Sequence, residues 1–412
     1  MSKGQKIAAL DIGSSKVVCI IAEKNGDNKI KVSGIGHQLS EGIKSSIITD
    51  VKKAERSILA AINAAEKMAG ETIEEIYCNV SGCNILSQHV SIESRISGHA
   101  VTNRDIDNII KKGVEALDKR DSEILNRFAL GYKIDDNEGI KNPVGMFGES
   151  LSTNLHFVTA SQTAIKNLRG ALAKCQLNVV DFIFSGQASG VSTLRDDEKE
   201  IGVTLIDIGA ATTTIAVFAE GFPIYFDYVP IGGAHITKDV ALGLAISPNF
   251  AERLKILHGS CIKTDSDDRD VLDIKEDDDN LLEERSITRA ELINIIQPRT
   301  EEIFELINEK LLSSGVNSLA GTKAVLTGGS SQLQGIKEVA DHMLSKNSRV
   351  AKPIELHNIA ESAKGPAFAT VAGMLMMAFE KLEEKQNLLK TIASKAESKS
   401  SNSIIQWFKR NF

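Results

Sequence analysis

The tripeptide Asp-Ile-Gly stands at Asp11–Gly13 and again at Asp207–Gly209, each time between two apolar runs. The first run-turn-run reads IAALDIGSSKVVCII, Ile7 to Ile21; the second reads IGVTLIDIGAATTTIAVF, Ile201 to Phe218. Each pattern predicts a strand, a small-residue turn and a second strand, that is, a β-hairpin. One such hairpin says little, because Asp and Gly are common at ordinary turns. Two of them, with the same acid at the same point, predict two related α/β halves facing one site. A phosphate chain held between the turns accounts for the shared chemistry.

Gly13 and Gly209 let the backbone turn sharply and approach a ligand closely. Successive N–H groups in such a turn form a concave nest for phosphate oxygens. Ser14, Ser15, Thr212, Thr213 and Thr214 add hydroxyl donors, Ala210 keeps the second turn small, and Lys16 brings a positive charge. Asp11 and Asp207 carry the wrong charge for phosphate. Their expected role is to hold Mg²⁺, which keeps most of its waters and binds through one or two carboxylates. A third element is the apolar strand that enters Gly328-Gly329-Ser330-Ser331, with Leu333, Ile336, Val339 and Met343 following at helical spacing. Glycines between a strand and a helix N-terminus let a flat base or a phosphate rest on the backbone.

Hairpin, hairpin and Gly-Gly turn, in that order, resemble the actin, sugar-kinase and heat-shock-70 ATPase superfamily over Lys6 to about Glu380. Gly365 to Gly373 looks like that superfamily's second connecting helix. Within it the chain most resembles the FtsA family of bacterial cell-division proteins. The residues that carry this are Gly232 to Asp239, Ala251 to Lys255, Gly139 to Met146, His156 to Ala160 and the last ten residues. The resemblance implies ATP and Mg²⁺ as cofactors, with Glu252 and Lys255 near ribose and adenine. It implies self-assembly into filaments, and a site for the C-terminal peptide of the tubulin-like protein FtsZ near Arg285, Arg299 and Glu302. Other division proteins would bind the inserted segment. Relatives that hydrolyse ATP place Glu or Gln at the start of the first connecting helix. Here that place falls on Ser185, with Gln187 two residues on, so the expectation is nucleotide binding with weak hydrolysis at most.

The expected fold class is α/β, two actin-like halves with an inserted α+β subdomain in the first half and a C-terminal amphipathic helix. The first half's large subdomain spans 1–83, 163–187 and 355–382, with the insertion at 84–162, a strand over Val90–Ile96 and a helix over Arg104–Leu117. The second half spans 188–234 and 304–354, with a smaller lobe at 235–303. That lobe holds an acidic run, Asp265 to Glu284, read as a solvated loop. A helix over Thr288–Leu312 is expected to bend or restart at Pro298.

A net charge of −7 excludes nucleic acid as a general partner. No stretch approaches the ~18–20 apolar residues of a membrane span. The polar start of the chain leaves no room for a signal peptide, and five cysteines fit reduced thiols in the cytosol. Residues 383–402 are polar and read as a flexible linker. On a helical wheel Ile404, Ile405, Phe408 and Phe412 share one face, with Trp407 at its flank and Lys409 and Arg410 outside it. Ten residues rise roughly 15 Å, too short to cross a bilayer, so this helix is expected to lie in the membrane interface. Taken with these readings, the family resemblance implies a protein on the cytoplasmic face of the cell membrane at the division site, tethering FtsZ filaments. The rival reading is an enzyme on the same fold, a sugar kinase or a chaperone ATPase. A rod-shape filament protein of the MreB kind is a further alternative, set aside because that family lacks the insertion at 84–162.

Overall fold

The computed structural model describes residues 5–25, 29–44, 47–117, 121–274, 285–354 and 356–397. The first half opens with strands β1 (Lys6–Ile12), β2 (Lys16–Lys24) and β3 (Ile30–Leu39), the short pair β4 (Ile43–Lys44) and β5 (Ile47–Ile48), helix α1 (Val51–Ala69) and strand β6 (Glu75–Val80). The insertion holds β7 (Leu86–Arg95), α2 (Asn103–Ala116), β8 (Ser122–Ile134), β9 (Asn137–Ile140) and β10 (Ser150–Ser161). Helix α3 (Gln162–Lys174), strand β11 (Asn178–Phe184) and helices α4 (Ser185–Thr193) and α5 (Asp196–Ile201) lead into the second half. There β12 (Val203–Ile208), β13 (Thr213–Ala219), β14 (Phe222–Val229), α6 (Gly233–Leu244) and α7 (Pro248–His258) are followed by β15 (Val271–Ile274), β16 (Arg285–Thr288) and α8 (Arg289–Ser313). The second half closes with β17 (Lys323–Thr327), α9 (Ile336–Leu344) and β18 (Asn347–Val350), and α10 (Ala369–Glu397) follows.

The two halves share one sheet topology. Their strand orders are β11-β6-β1-β2-β3 and β14-β13-β12-β17-β18. In each, a hairpin and its third strand form an antiparallel meander. The hairpin's first strand then pairs in parallel with a later strand, which pairs in parallel with the last. Strands covered on both faces read as unbroken apolar runs. Along β1, Ala8, Leu10 and Ile12 face the core shared with α1, while Ile7 and Ala9 face α10. Along β12, Val203 and Leu205 join the first core, and Ile206 and Ile208 join that of α6, α8 and α9. The alternation is the period-two geometry of a strand.

Several expectations change in detail. Strand β7 starts at Leu86 rather than Val90, because it pairs with β10 from Arg95↔Ser150 back to Leu86↔Thr159. Helix α8 runs unbroken through Pro298, since Leu292 and Ile296 before it and Ile303, Phe304 and Ile307 after it bury on one core. A 3₁₀ turn, Gly329–Gln332, separates the Gly-Gly segment from α9, so Leu333 lies outside the helix. In the acidic run, Asp267 is buried against Arg289 at 2.8 Å; residues 275–284 lie outside the described residues. The segment read as a linker is helical as far as Glu397, because 383–397 contains neither Gly nor Pro and is rich in strong helix formers. Residues 398–412, with all seven membrane-facing candidates from Ile404 to Phe412, lie outside the described residues.

Two joints link the halves. At the first, α4 crosses α10 in backbone contact: a Cβ on Gly373 would stand 1.8 Å from the Ala188 carbonyl oxygen. At the second, the insertion leans on β14. Ser87 Oγ accepts from Phe226 N at 2.8 Å, and His156, fully buried, sits 2.8 Å from Ser87 Oγ and 2.7 Å from the Pro223 carbonyl. A carbonyl can only accept, so Nδ1 of His156 carries the proton, and Nε2 shares the single Ser87 hydroxyl proton with the Phe226 carbonyl, 2.9 Å from Ser87 Oγ. Burial pushes the imidazole down to about 4.

Gly373→Ala is expected to destabilise by about 1–3 kcal/mol or more in urea unfolding, because neither backbone can yield. Gly170→Ala, on an exposed turn of α3 with open space around it, is the control and should stabilise by about 0.5–1 kcal/mol. The His156 joint carries a pH signature. The unfolded imidazole takes a proton near 6.5 and the folded one only near 4, so stability present above 6.5 is lost as pH falls through that window. Between pH 7 and pH 4.5 His156 contributes a loss of up to about 3 kcal/mol, read as the difference in urea unfolding between the parent and His156→Asn, because the raised Asp11 acts in the opposite sense.

Candidate functional site

Each half contributes the same turn. Gly13 N donates to Lys16 O at 2.9 Å, and Gly209 N donates to Thr212 O at 3.0 Å. Asp11 and Asp207 are each the next-to-last residue of the strand before the turn. Asp11 pairs across its hairpin with Val18, and Asp207 with Thr214.

Asp11 is buried and Asp207 half-buried. Burial pushes Asp11 up to about 6, Lys16 opposes the rise, and the Asp207 charge adds to it. Burial also raises Asp207, against hydrogen bonds from Ser189 and Thr370 and the charge of Lys16. Lys16 is lowered by burial, and both aspartates resist that. The three groups therefore form one electrostatic unit with an excess of negative charge. Lys16 Nζ donates to Ala367 O at 2.5 Å and lies 3.9 Å from the centroid of the Phe368 ring.

Each carboxylate is also held by neutral donors. Asn79 Nδ2 donates to Asp11 Oδ1 at 2.7 Å, and Asn79 Oδ1 accepts from Ile12 N at 2.7 Å. The same amide lies 3.2 Å from Ser185 Oγ. Ser185 in turn donates to Val80 O and touches Ser81 Oγ. On the other side Ser189 Oγ donates to Asp207 Oδ2, and Thr370 Oγ1 does so at 3.3 Å. Gly328 has φ +85, and a Cβ there would stand 2.3 Å from Asp207 Oδ1. That position admits glycine for both reasons.

The Gly-Gly turn closes onto the second hairpin. Ser330 Oγ donates to Gly209 O at 3.1 Å, Gly233 N donates to the same oxygen at 2.9 Å, and Ala234 N donates to Ala210 O at 2.7 Å. Lys255 Nζ reaches Gly233 O at 3.1 Å, Thr237 Oγ1 at 2.8 Å and Glu252 Oε2 at 2.7 Å. Glu252, Lys255, Gly328, Gly329, Ser330, Gly209 and Ala210 thus meet around the N-terminus of α6.

Two groups of candidates are engaged otherwise than the pattern suggested. Thr213 is fully buried and its hydroxyl donates to Ile231 O at 2.8 Å, bracing the turn from within. Arg299 is bidentate on Asp239, at 2.5 and 3.2 Å, and also contacts Glu302, tying α8 to α6. Arg285 opens β16, away from that pair in sequence and on a different element. Gln187 Oε1 is buried with no hydrogen-bond partner among the described residues. Sequence reasoning missed Asn79, Ser189, Thr237, Asp239 and Thr370 as individual residues. Thr237, Asp239 and Thr370 stand inside segments it had marked as segments, and Ser189 lies on the connecting helix expected to start near Ser185; Asn79 had no signal beyond its place at the end of an apolar strand.

Two family descriptions match this chain: "Cell division protein FtsA" over residues 204–373 and "SHS2 domain inserted in FTSA" over residues 82–159. Cell division protein FtsA of Agrobacterium fabrum is 37% identical over 383 residues, covering 90% of this chain and 86% of the relative. That of Pseudomonas aeruginosa is 30% identical over 410 residues, 100% of this chain and 98% of the relative. The chain belongs to the FtsA family. It is an actin-like cell-division protein. Among solved structures, the PilM–PilN type IV pilus biogenesis complex aligns with TM-score 0.66 at 14% identity, covering 91% of this chain and 99% of that one. MreB5 of Spiroplasma citri bound to ADP aligns with TM-score 0.55 at 13% identity, covering 93% and 98%. At such identities these likenesses speak to the fold, two actin-like α/β halves carrying the family's insertion.

Asp11 gives a prediction free of any ligand. Its carboxyl is raised in the folded state, so the folded protein binds its proton more tightly, and stability falls as pH rises from 3.8 through about 6. In divalent-free buffer, Asp11→Asn should raise stability at pH 7.5 by on the order of 1–2 kcal/mol, allowing for the countercharge that Lys16 loses. The gain should vanish near pH 4. Urea unfolding at the two pH values measures it.

Proposed function

We propose that the chain binds ATP with Mg²⁺ between its halves, assembles with copies of itself, and tethers FtsZ filaments of the division ring to the cytoplasmic face of the membrane. The observation that carries this reading is the duplicated turn, which brings two carboxylates, Asp11 buried and Asp207 half-buried, and one lysine beside two glycine turns. The first turn, Gly13-Ser14-Ser15-Lys16, and the second, Gly209-Ala210 with Thr212, would cradle the phosphate chain. Gly233, Glu252, Lys255, Gly328, Gly329 and Ser330 would border adenosine. The donor set suits the cation: Asp11 and Asp207 offer hard carboxylate oxygens, the kind of one- or two-carboxylate set that Mg²⁺ takes while it keeps its waters. Mg²⁺, when bound, supplies charge neutralisation both to the phosphates and to the two raised carboxylates.

Turnover is expected to be weak. Ser185 stands where a base or water-orienting group would be needed, and its hydroxyl already donates to Val80 O. FtsZ's C-terminal peptide would meet the smaller lobe near Arg285 and Arg299–Glu302, in which case it must compete with Asp239 for the guanidinium. Ile404, Ile405, Trp407, Phe408 and Phe412 would enter the lipid interface with Lys409 and Arg410 at the headgroups. Each buried large apolar side chain is worth ~1.5–3 kcal/mol, and ordering each residue costs about 1–2 kcal/mol. One tail therefore binds weakly, and several tails on one filament bind tightly together.

Sedimentation with anionic liposomes tests the assembly and membrane steps. The full chain should pellet with ATP and Mg²⁺ and much less without them, and a chain ending at Asn402 should stay in the supernatant. Equal pelleting of the shortened chain would overturn the tether. ATP titration tests the cleft: Asp207→Asn should lose at least tenfold of the Mg²⁺-dependent affinity, and an unchanged affinity would overturn the site.

A further inference from the structure

Both carboxylates end on the same short helix. Asp11 reaches it through Asn79 to Ser185, the first residue of α4. Asp207 reaches it directly through Ser189, one helical turn later. Residues four apart lie on one face of a helix. Ser192, on the next turn, donates to Ala369 O of α10 at 2.7 Å. From α10, Thr370 lies 3.0 Å from Ser189 and donates to the same oxygen of Asp207. Ser189 and Ser192 have no exposed surface, and Thr370 is buried.

The result is a hydroxyl clamp on Oδ2 of Asp207, with one jaw on each crossing helix. A carboxylate can rotate about its Cβ–Cγ bond, and two donors on one oxygen stop that rotation. They leave Oδ1 turned toward Gly328, where only a missing side chain makes room. Nearby, Gly373 lies against the Ala188 carbonyl with no slack. The two helices cannot change their crossing without moving one jaw of the clamp relative to the other.

We infer that Ser189 and Thr370 are positioning residues that orient Asp207 and make its occupancy and the α4–α10 crossing one equilibrium. This rests on the reading of the cleft as an ATP–Mg²⁺ site. Coupling of this kind is reciprocal: if ligation at Asp207 is stronger by a given factor in one helix crossing than in the other, ligation shifts the crossing equilibrium by that factor. The Asn79–Ser185 link gives the first half a matching but looser attachment, through an amide rather than directly. Serine at position 185 thus has a structural reason of its own: it is the first of three hydroxyls along one face of α4, serving the first half's carboxylate as Ser189 serves the second's.

The experiment compares the full chain with Thr370→Val, Ser189→Ala, the double variant and the conservative Thr370→Ser. ATP affinity is measured with and without Mg²⁺, together with the critical concentration for assembly and hydrogen exchange of α4 and α10 amides. Thr370→Val keeps the shape of the side chain and removes only the donor, so it guards against loss of folding in the double variant. The single variants should bind ATP without Mg²⁺ within about threefold of the parent. They should lose most of the Mg²⁺-dependent gain and of the ATP effect on assembly, a loss of about 5- to 100-fold. Exchange in α10 should stop responding to ATP–Mg²⁺ in Thr370→Val while the response returns in Thr370→Ser. Unchanged Mg²⁺ dependence and unchanged exchange response in folded Thr370→Val overturn the inference. A parent chain that binds no ATP overturns the underlying reading instead, and the two failures are told apart by the parent's own titration.

Discussion

Two carboxylates set between two sheets, Asp11 buried and Asp207 half-buried, set the terms for the rest of the molecule. A buried charge is costly unless it is paired and hydrogen-bonded. Asp11 and Asp207 share a single lysine, and burial still raises both. Around them the fold supplies neutral donors in turn: the amide of Asn79 for one, the hydroxyls of Ser189 and Thr370 for the other. These donors come from β6, α4 and α10, the elements that join the halves or lie beside the joint. The site and the joint are therefore built from the same residues, and neither can be altered alone.

The duplicated topology explains why the arrangement is symmetric in outline and unequal in detail. Equivalent strands carry equivalent aspartates to equivalent turns. The connecting helices are not duplicated in the same way. Helix α4 follows the first sheet's last-paired strand, β11, directly, whereas α10 is reached from the second sheet's β18 through the segment 351–368. Asp207 thus receives two direct hydroxyl donors, and Asp11 receives an amide that leans on a third. The insertion adds a second contact across the halves at His156, where an imidazole kept neutral by burial bridges Ser87 and the Pro223 carbonyl.

The hairpins were legible because a central strand covered on both faces must be apolar throughout, and a turn between two such strands has few residue choices. The same reasoning found Gly328, whose φ and close approach to Asp207 leave no alternative. What sequence could not supply was partnership over long separations. Nothing in Asp239 marks it as the partner of Arg299, and nothing in Thr370 separates it from the small residues around it that pack helices. Composition misled where two physical causes share one signature. Polar, Lys- and Glu-rich residues after Leu382 suit a solvated coil and a solvated helix equally, and the lack of Gly and Pro decides for helix as far as Glu397. Asp267 looked solvated with its acidic neighbours, yet Arg289 and the Thr264 hydroxyl hold it inside.

The helical course of α10 alters how a tail would work. A flexible coil of about 20 residues wanders over roughly 25 Å, so tails on neighbouring copies would sample their surroundings independently. Helix α10 instead starts at the clamp with Thr370, packs along the first sheet through Phe379, and emerges with exposed residues from Glu384. The portion from there to Glu397 adds about 20 Å of directed rise. Copies aligned in a filament, as proposed, would then hold the Glu397 ends of α10 on one side and at similar height. That alignment removes part of the ordering entropy that each later attachment would otherwise lose, so effective concentration rises with filament length more steeply than for free coils. On the proposed reading, the same helix that senses Asp207 at one end would present the membrane anchor at the other.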